Sequence, residues 1–273
     1  MGEEKRKRSA TQKFIAEFPD CYFCGGARRS TTREHMPPKS LFDNSHRPDK
    51  LIMPACDTCN RTTSTADLTV AIISRWSTDT SSQNVSDHRK LVAQMRRQAP
   101  ELVQEWISSD RFGVENARRH LREQGITVPA NASVGMVGPH TIRQLNIFAH
   151  KATLALYFEH FRKPLPAVGR ICAYWRSKED FFLKGIPPEL LEMLPVYARL
   201  VQGKWDTHEI FEYRYNFNEK KGLFAGIARF RGGIFVIGFA VPSVTDIDID
   251  IDDWIKPDDP SVLLTLPRYQ KKT

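Results

Sequence analysis

The sequence predicts an α+β protein, and three observations carry that reading. Two cysteine pairs of identical spacing, Cys21-Tyr-Phe-Cys24 and Cys56-Asp-Thr-Cys59, bracket a strand–loop–strand pattern and lead into a helix. A long, nearly all-round apolar helix is predicted from Pro139 to Arg162. After it, FEYRYNFNEKKGLFAGIARFRGGIFVIGFAVP alternates strand-forming runs with Glu-Lys-Lys-Gly and Arg-Gly-Gly turns, the pattern of an antiparallel meander. The expected organisation is a basic tail and short helix over 1–18, a metal-stapled unit over 19–82, and a helical plus antiparallel β domain over 83–273.

Composition sets the frame for these parts. With 273 residues and 41% hydrophobic content, the chain is long enough for a sizeable core. No run approaches the roughly 18 to 20 apolar residues of a membrane span, so no membrane partner is expected. The start, MGEEKRKRSATQ, lacks the apolar centre of a secretory signal, and the expected location is the cytoplasm. Lys plus Arg outnumber Asp plus Glu by 40 to 32, a net +8 that favours a polyanionic partner. The KRKR of residues 5–8 and the terminal QKKT read as basic tails that touch nucleic acid without specificity.

Four of the five cysteines fall in the two knuckles. In a reducing compartment, two CxxC turns read as a tetrahedral zinc site formed by Cys21, Cys24, Cys56 and Cys59. Gly25 and Gly26 permit the left-handed backbone that a tight knuckle needs. The competing reading is a redox pair, which requires only one CxxC and a βαβ pattern that is not evident here. Cys172, in AVGRICAYW, reads as a buried small hydrophobe.

The 31 residues between the knuckles are more than a zinc ribbon needs. Arg33-Glu34-His35-Met36 reads as a short strand, and Pro37-Pro38 stops it. A loop through Asp43, Asn44, Ser45 and His46 follows, then the apolar run Leu51-Ile52-Met53-Pro54-Ala55. Helix entry is expected after Cys59, with Leu68, Ala71 and Ile72 on one face.

These residues resemble a known family. CxxC, Glu-His-x-x-Pro-x-x-x-Leu, an apolar strand and CxxC-Asn together look like the HNH nucleases, whose ββα-metal core cuts nucleic acid. More narrowly, TREHMPPKSLF, LIMPACDTCN and Ser64-x-x-Asp67 resemble a bacterial HNH subgroup with a longer C-terminal region. The match covers about residues 19 to 70.

The resemblance implies a role for each matching residue. His35 becomes the general base that activates water. Glu34 and Asn60 become ligands of a catalytic Mg²⁺ or Mn²⁺, an oxygen-ligand site suited to a hard ion. Because adjacent strand residues point to opposite sides, Glu34 faces the metal while His35 approaches the scissile phosphate from another direction. Arg33 and Arg61 flank the site as phosphate contacts, a role equalled by that of solvated positive charge, and Lys39 and His46 are further candidate contacts. Asp67 is either a supplementary metal ligand or a structural carboxylate, with the structural role favoured.

One departure stands out. The family's middle Asn, which orients the base, has no counterpart near Asp49, Lys50 and Leu51, leaving a backbone carbonyl to orient the imidazole. The implied activity is hydrolysis of phosphodiester bonds in DNA, with defence against foreign DNA as a context. The hazard of a free nuclease to its own cell suggests a regulatory protein partner, a modified-DNA requirement or a conditional trigger, with a homo-oligomer as a further candidate assembly. The alternative is a zinc-stapled nucleic-acid-binding module that has kept the fold and lost cleavage.

Beyond the matched region, residues 73–124 read as largely helical, with breaks near Ser81–Asn84, Pro100 and Gly113. Arg96, Arg97, Arg118, Arg119 and Arg122 give them a basic surface, equally readable as a solvated face. Residues 125–138 read as irregular or short strands. Asp246, Asp248, Asp250, Asp252 and Asp253 alternate with isoleucines, as in a half-buried strand with one solvated face or a guard against edge pairing, with cation binding by the acidic face as the lesser alternative. His88, His120, His140, His150, His160 and His208 read as structural.

Overall fold

The structure, a computed structural model, describes residues 2–42, 47–76, 82–107, 111–123, 125, 127, 137–178, 180–181, 185–202, 205–207 and 209–243. Among these, helices and antiparallel sheets mix in one α+β arrangement. The acidic alternation at 246–253 and His208 lie outside the described residues.

Helix α1 (Gly2–Glu17) runs through KRKR, so these basic residues belong to a helix and not to a tail. Its stretch of Glu, Lys, Arg, Gln and Ala, free of Gly and Pro after residue 2, favours helix. Strand β1 (Thr32–His35) pairs antiparallel with β2 (Ile52–Ala55), with Glu34 opposite Met53 and His35 opposite Ile52. Between them Lys39–Leu41 form a single 3-10 turn. Helix α2 (Asp57–Ile73) begins earlier than expected: Cys56 is its N-cap, and its sulfur accepts the Cys59 N–H at 3.4 Å. Cys59 and Asn60 therefore sit in the first helical turn, where Asp57 complements the positive helix end.

Helices α3 (Ser82–Gln98), α4 (Pro100–Ile107) and α5 (Arg111–Glu123) follow. Pro100 opens α4, the position proline tolerates best. Gly113 does not break α5, which carries the glycine within it at a cost of about 1 kcal/mol.

Helix α6 (Pro139–Phe161) is the centre of the molecule. It is buried nearly all round, with α2 on one side and the sheet on the other. Glycine sets the distance to the sheet: a Cβ on Gly238 would lie 2.0 Å from the Thr153 hydroxyl oxygen. Arg162 closes the helix in the left-handed conformation, φ 54°, its N–H reaching the Phe158 carbonyl at 2.7 Å.

The meander is β7 (Phe211–Asn218), β8 (Leu223–Phe230) and β9 (Ile234–Val241), with turns at the two predicted sites. It is larger than the meander alone: β3 (Arg170–Ser177) joins at β9 and β4 (Val196–Arg199) at β7, giving the order β3-β9-β8-β7-β4. Strands β5 (Val201–Gln202) and β6 (Trp205–Asp206) form a small separate ribbon. Cys172 lies on β3 and is half-buried, not buried, because that strand is a sheet edge. Phe148, Phe230 and Phe211 pack between α6 and the sheet, and the other sheet face is covered by Leu194, Leu190, Ile186 and Phe181, the first two from helix α7 (Pro188–Met193) and its end. One apolar cluster runs from the cysteine knuckles through α2 and α6 to β9.

Candidate functional site

The four knuckle cysteines converge. Their sulfurs lie within 4.8 Å of one another, all buried, and none is in a disulfide. Four thiolates about 2.3 Å from a tetrahedral zinc stand about 3.8 Å apart, so the cluster fits a structural zinc in number, chemistry and spacing. The first knuckle turns through Gly25 (φ 60°) and Gly26 (φ 82°), which let the Gly26 N–H return to the Cys21 carbonyl at 3.0 Å. The second is the start of α2. Hydrogen bonds from the Cys21 and Cys59 thiols hold the Cys24 thiol below the ordinary thiol range, so one thiolate forms readily. The proton is pushed correspondingly onto Cys59, the arrangement a divalent ion relieves.

The β1–β2 ribbon carries the remaining site residues on two faces, because alternate strand residues share a face. Thr32 and Glu34 face inward. The Asn60 side-chain amide donates to the Thr32 hydroxyl at 3.1 Å, which brings Asn60 to that side. Glu34 is 7% exposed, and its Oε1 accepts from the Lys151 ammonium at 3.1 Å. The same ammonium, 1% exposed, donates to Asp67 Oδ2 at 2.6 Å. Lys151 of α6 thus ties β1 to α2. Burial alone would push its pKa down, but the Asp67 and Glu34 carboxylates outweigh burial and hold the ammonium charged. Asp67 moves up, chiefly because burial disfavours its charge, with Glu34 adding and Lys151 opposing. Asp67 Oδ1 and the Tyr22 hydroxyl are buried with no hydrogen-bond partner among the described residues.

Arg33 and His35 face the other way. Burial pushes the His35 imidazole down to about 4, and Arg47, Lys39 and Arg33 add to the shift against Asp49. At neutral pH the ring is therefore uncharged and its free nitrogen can accept a proton. Arg33 lies 3.5 Å from Asp49 and 5.7 Å over the Phe14 ring. Arg47 serves the backbone: its guanidinium donates to the carbonyls of Met36, Pro37, Pro48, Lys50 and Leu51. It frames the loop between the strands and supplies field at His35.

The predicted residues thus separate into groups. Glu34 and Asp67 meet at Lys151, Asn60 meets Thr32, and His35 and Arg33 share the outer face. Lys39 lies in the 3-10 turn and is exposed, while Arg61 is exposed and paired with Asp57 at 2.7 Å. His46 lies outside the described residues. Reasoning from the sequence missed Lys151 and Arg47. The signal for Lys151 was present, a single lysine amid the apolar run IFAHKATLALYF of a helix with no solvent-facing stripe. For Arg47 no local pattern marks a side chain that binds carbonyls.

No protein-family model, curated protein or solved structure matches the chain.

Proposed function

We propose that this protein is a metal-dependent phosphodiesterase of the HNH type acting on nucleic acid, DNA in the first instance, with His35 as general base. The observation that supports it is His35 itself: an uncharged imidazole at the end of a short ribbon stapled to a four-cysteine cluster, with Arg33, Lys39 and Arg47 around it. In this reading His35 takes a proton from the attacking water, and Arg33 and Lys39 draw in the phosphate. Phosphate charge beside the ring would offset the surrounding cations and bring the imidazole closer to its ordinary range.

The residues available for a catalytic Mg²⁺ or Mn²⁺ fit in kind. Asn60 uses its Nδ2 on Thr32, which leaves the Oδ1 oxygen to ligate a metal, and Lys151 occupies one Glu34 oxygen and leaves Oε2. A lysine on the far oxygen of a ligating carboxylate orients it, as outer partners of metal ligands commonly do. When bound, the ion would stabilise charge on the phosphate and leaving oxygen.

A second reading is favoured by one observation. Glu34 is nearly covered and already neutralised by Lys151, which suits a zinc-stapled nucleic-acid-binding module without cleavage. Incubating supercoiled plasmid, single-stranded DNA and RNA with Mg²⁺ or Mn²⁺ separates the two. The nuclease reading expects metal-dependent cleavage that falls by about 10²-fold or more in His35→Ala of equal zinc content. Salt-sensitive binding by both proteins with cleavage by neither would select the binding module.

A further inference from the structure

A crevice of about 420 Å³ opens beside the ribbon, lined by Phe14, Asp49, Lys50, Leu51, Ile52, Glu159 and Arg162. It lies on the His35 side. Ile52 is the cross-strand partner of His35, and such partners project to the same face. Arg33, also on that face, reaches both Phe14 and Asp49 in the crevice wall. The opening therefore adjoins the face on which a phosphate at His35 and Arg33 would lie.

We propose that the crevice receives one unstacked nucleobase, bearing an exocyclic amino group, from the strand whose phosphate lies at His35. The inference rests on the nucleic-acid reading above and adds a recognition subsite to it. The volume falls within the range of about 300 to 1,000 Å³ typical of small-ligand sites, and the mouth is open enough for a tethered base. The lining is balanced in charge, Lys50 and Arg162 against Asp49 and Glu159, so a bare phosphate gains little there while a neutral polar ring gains donors and acceptors. Phe14 offers an aromatic face, and Leu51 with Ile52 an aliphatic floor. Base–aromatic stacking is the sequence-tolerant part of single-strand recognition.

The carboxylates give selectivity. Glu159, in the crevice wall, uses Oε2 to accept from Arg162 at 3.3 Å, which leaves Oε1 as a further acceptor. Asp49 contacts Arg33 through Oδ1, and its backbone N–H is already given to Gln202 at 2.6 Å, which steadies this wall. An ionised carboxylate only accepts hydrogen bonds. It therefore favours adenine, cytosine and guanine, which carry an exocyclic amino donor, over thymine, whose single N3–H donor is flanked by two carbonyl oxygens that a carboxylate repels.

The test is equilibrium binding of AMP, CMP, GMP, TMP and ribose 5-phosphate to the zinc-loaded full chain. AMP, CMP and GMP are expected to bind about fivefold or more tighter than TMP or ribose 5-phosphate. Phe14→Ala should weaken them about tenfold, and Glu159→Gln should narrow the gap to TMP. Zinc content and melting temperature of both variants serve as fold controls. Equal binding of all five ligands, or binding unchanged by Phe14→Ala, would overturn the proposal. His35→Ala keeps the two readings apart, since base binding should persist when cleavage is lost. Cleavage without base binding sinks the crevice alone, and base binding without cleavage sinks the nuclease alone.

Discussion

His160 sits where α6 meets β7, its ring stacked on Tyr215 at a centroid distance of 4.0 Å and on Phe217 at 5.2 Å. Its Nε2 is buried without a hydrogen-bond partner among the described residues, and burial pushes its pKa down to about 4. The unfolded chain, with an ordinary histidine near 6.5, takes up this proton first as pH falls. The contribution is thus fully present above about 6.5 and is lost progressively toward pH 4. Replacing the ring with one that does not titrate should flatten this limb: in His160→Phe the drop in Tm between pH 7.5 and pH 4.5 is expected to be smaller than in the wild type. An equal drop in both proteins would mean that the ring is hydrated in the fold.

Helix α6 shows how an element can be legible in outline and opaque in detail. Its start at Pro139, its end near Arg162 and its burial followed from periodicity and from proline, because both are local properties of the chain. Its part in the site did not, because the Lys151 contacts to Glu34 and Asp67 span 117 and 84 residues. The same contrast holds elsewhere. The cysteine cluster was readable from two spacings, and the β1–β2 ribbon from its prolines and apolar run, whereas β3 and β4 carry no turn signal tying them to the meander edges. Lys151→Met would leave two buried carboxylates without their cation, a change expected to cost about 3 to 5 kcal/mol in urea denaturation. Adding Glu34→Gln and Asp67→Asn should restore much of that loss, since no buried charge then remains. A Lys151→Met protein as stable as the wild type would show the pair to be solvated.

At the scale of the whole molecule, the cysteine cluster belongs to the same apolar core as α2, α6 and the sheet. A structural zinc is therefore expected to govern more than residues 19–82. Metal analysis should give one zinc per chain, and its removal by a chelator should lower Tm by about 10 °C or more, given the size of zinc-site energies. Unchanged Tm in fully stripped protein would reduce the cluster to a local clip. The loop ahead of β2 is held on a different principle. Arg47 grips it by five main-chain oxygens, with Arg75 and Arg231 holding the Leu41 carbonyl from α2's end and from the β8–β9 turn. Carbonyls are the one feature every amino acid shares, so this grip makes no demand on the exposed side chains of Lys39, Asp49 and Lys50, while Met36, Leu41, Phe42 and Leu51 are fixed by burial. The protein thereby owns an interchangeable lettering beside His35: these exposed positions can change while the frame that presents them stays put.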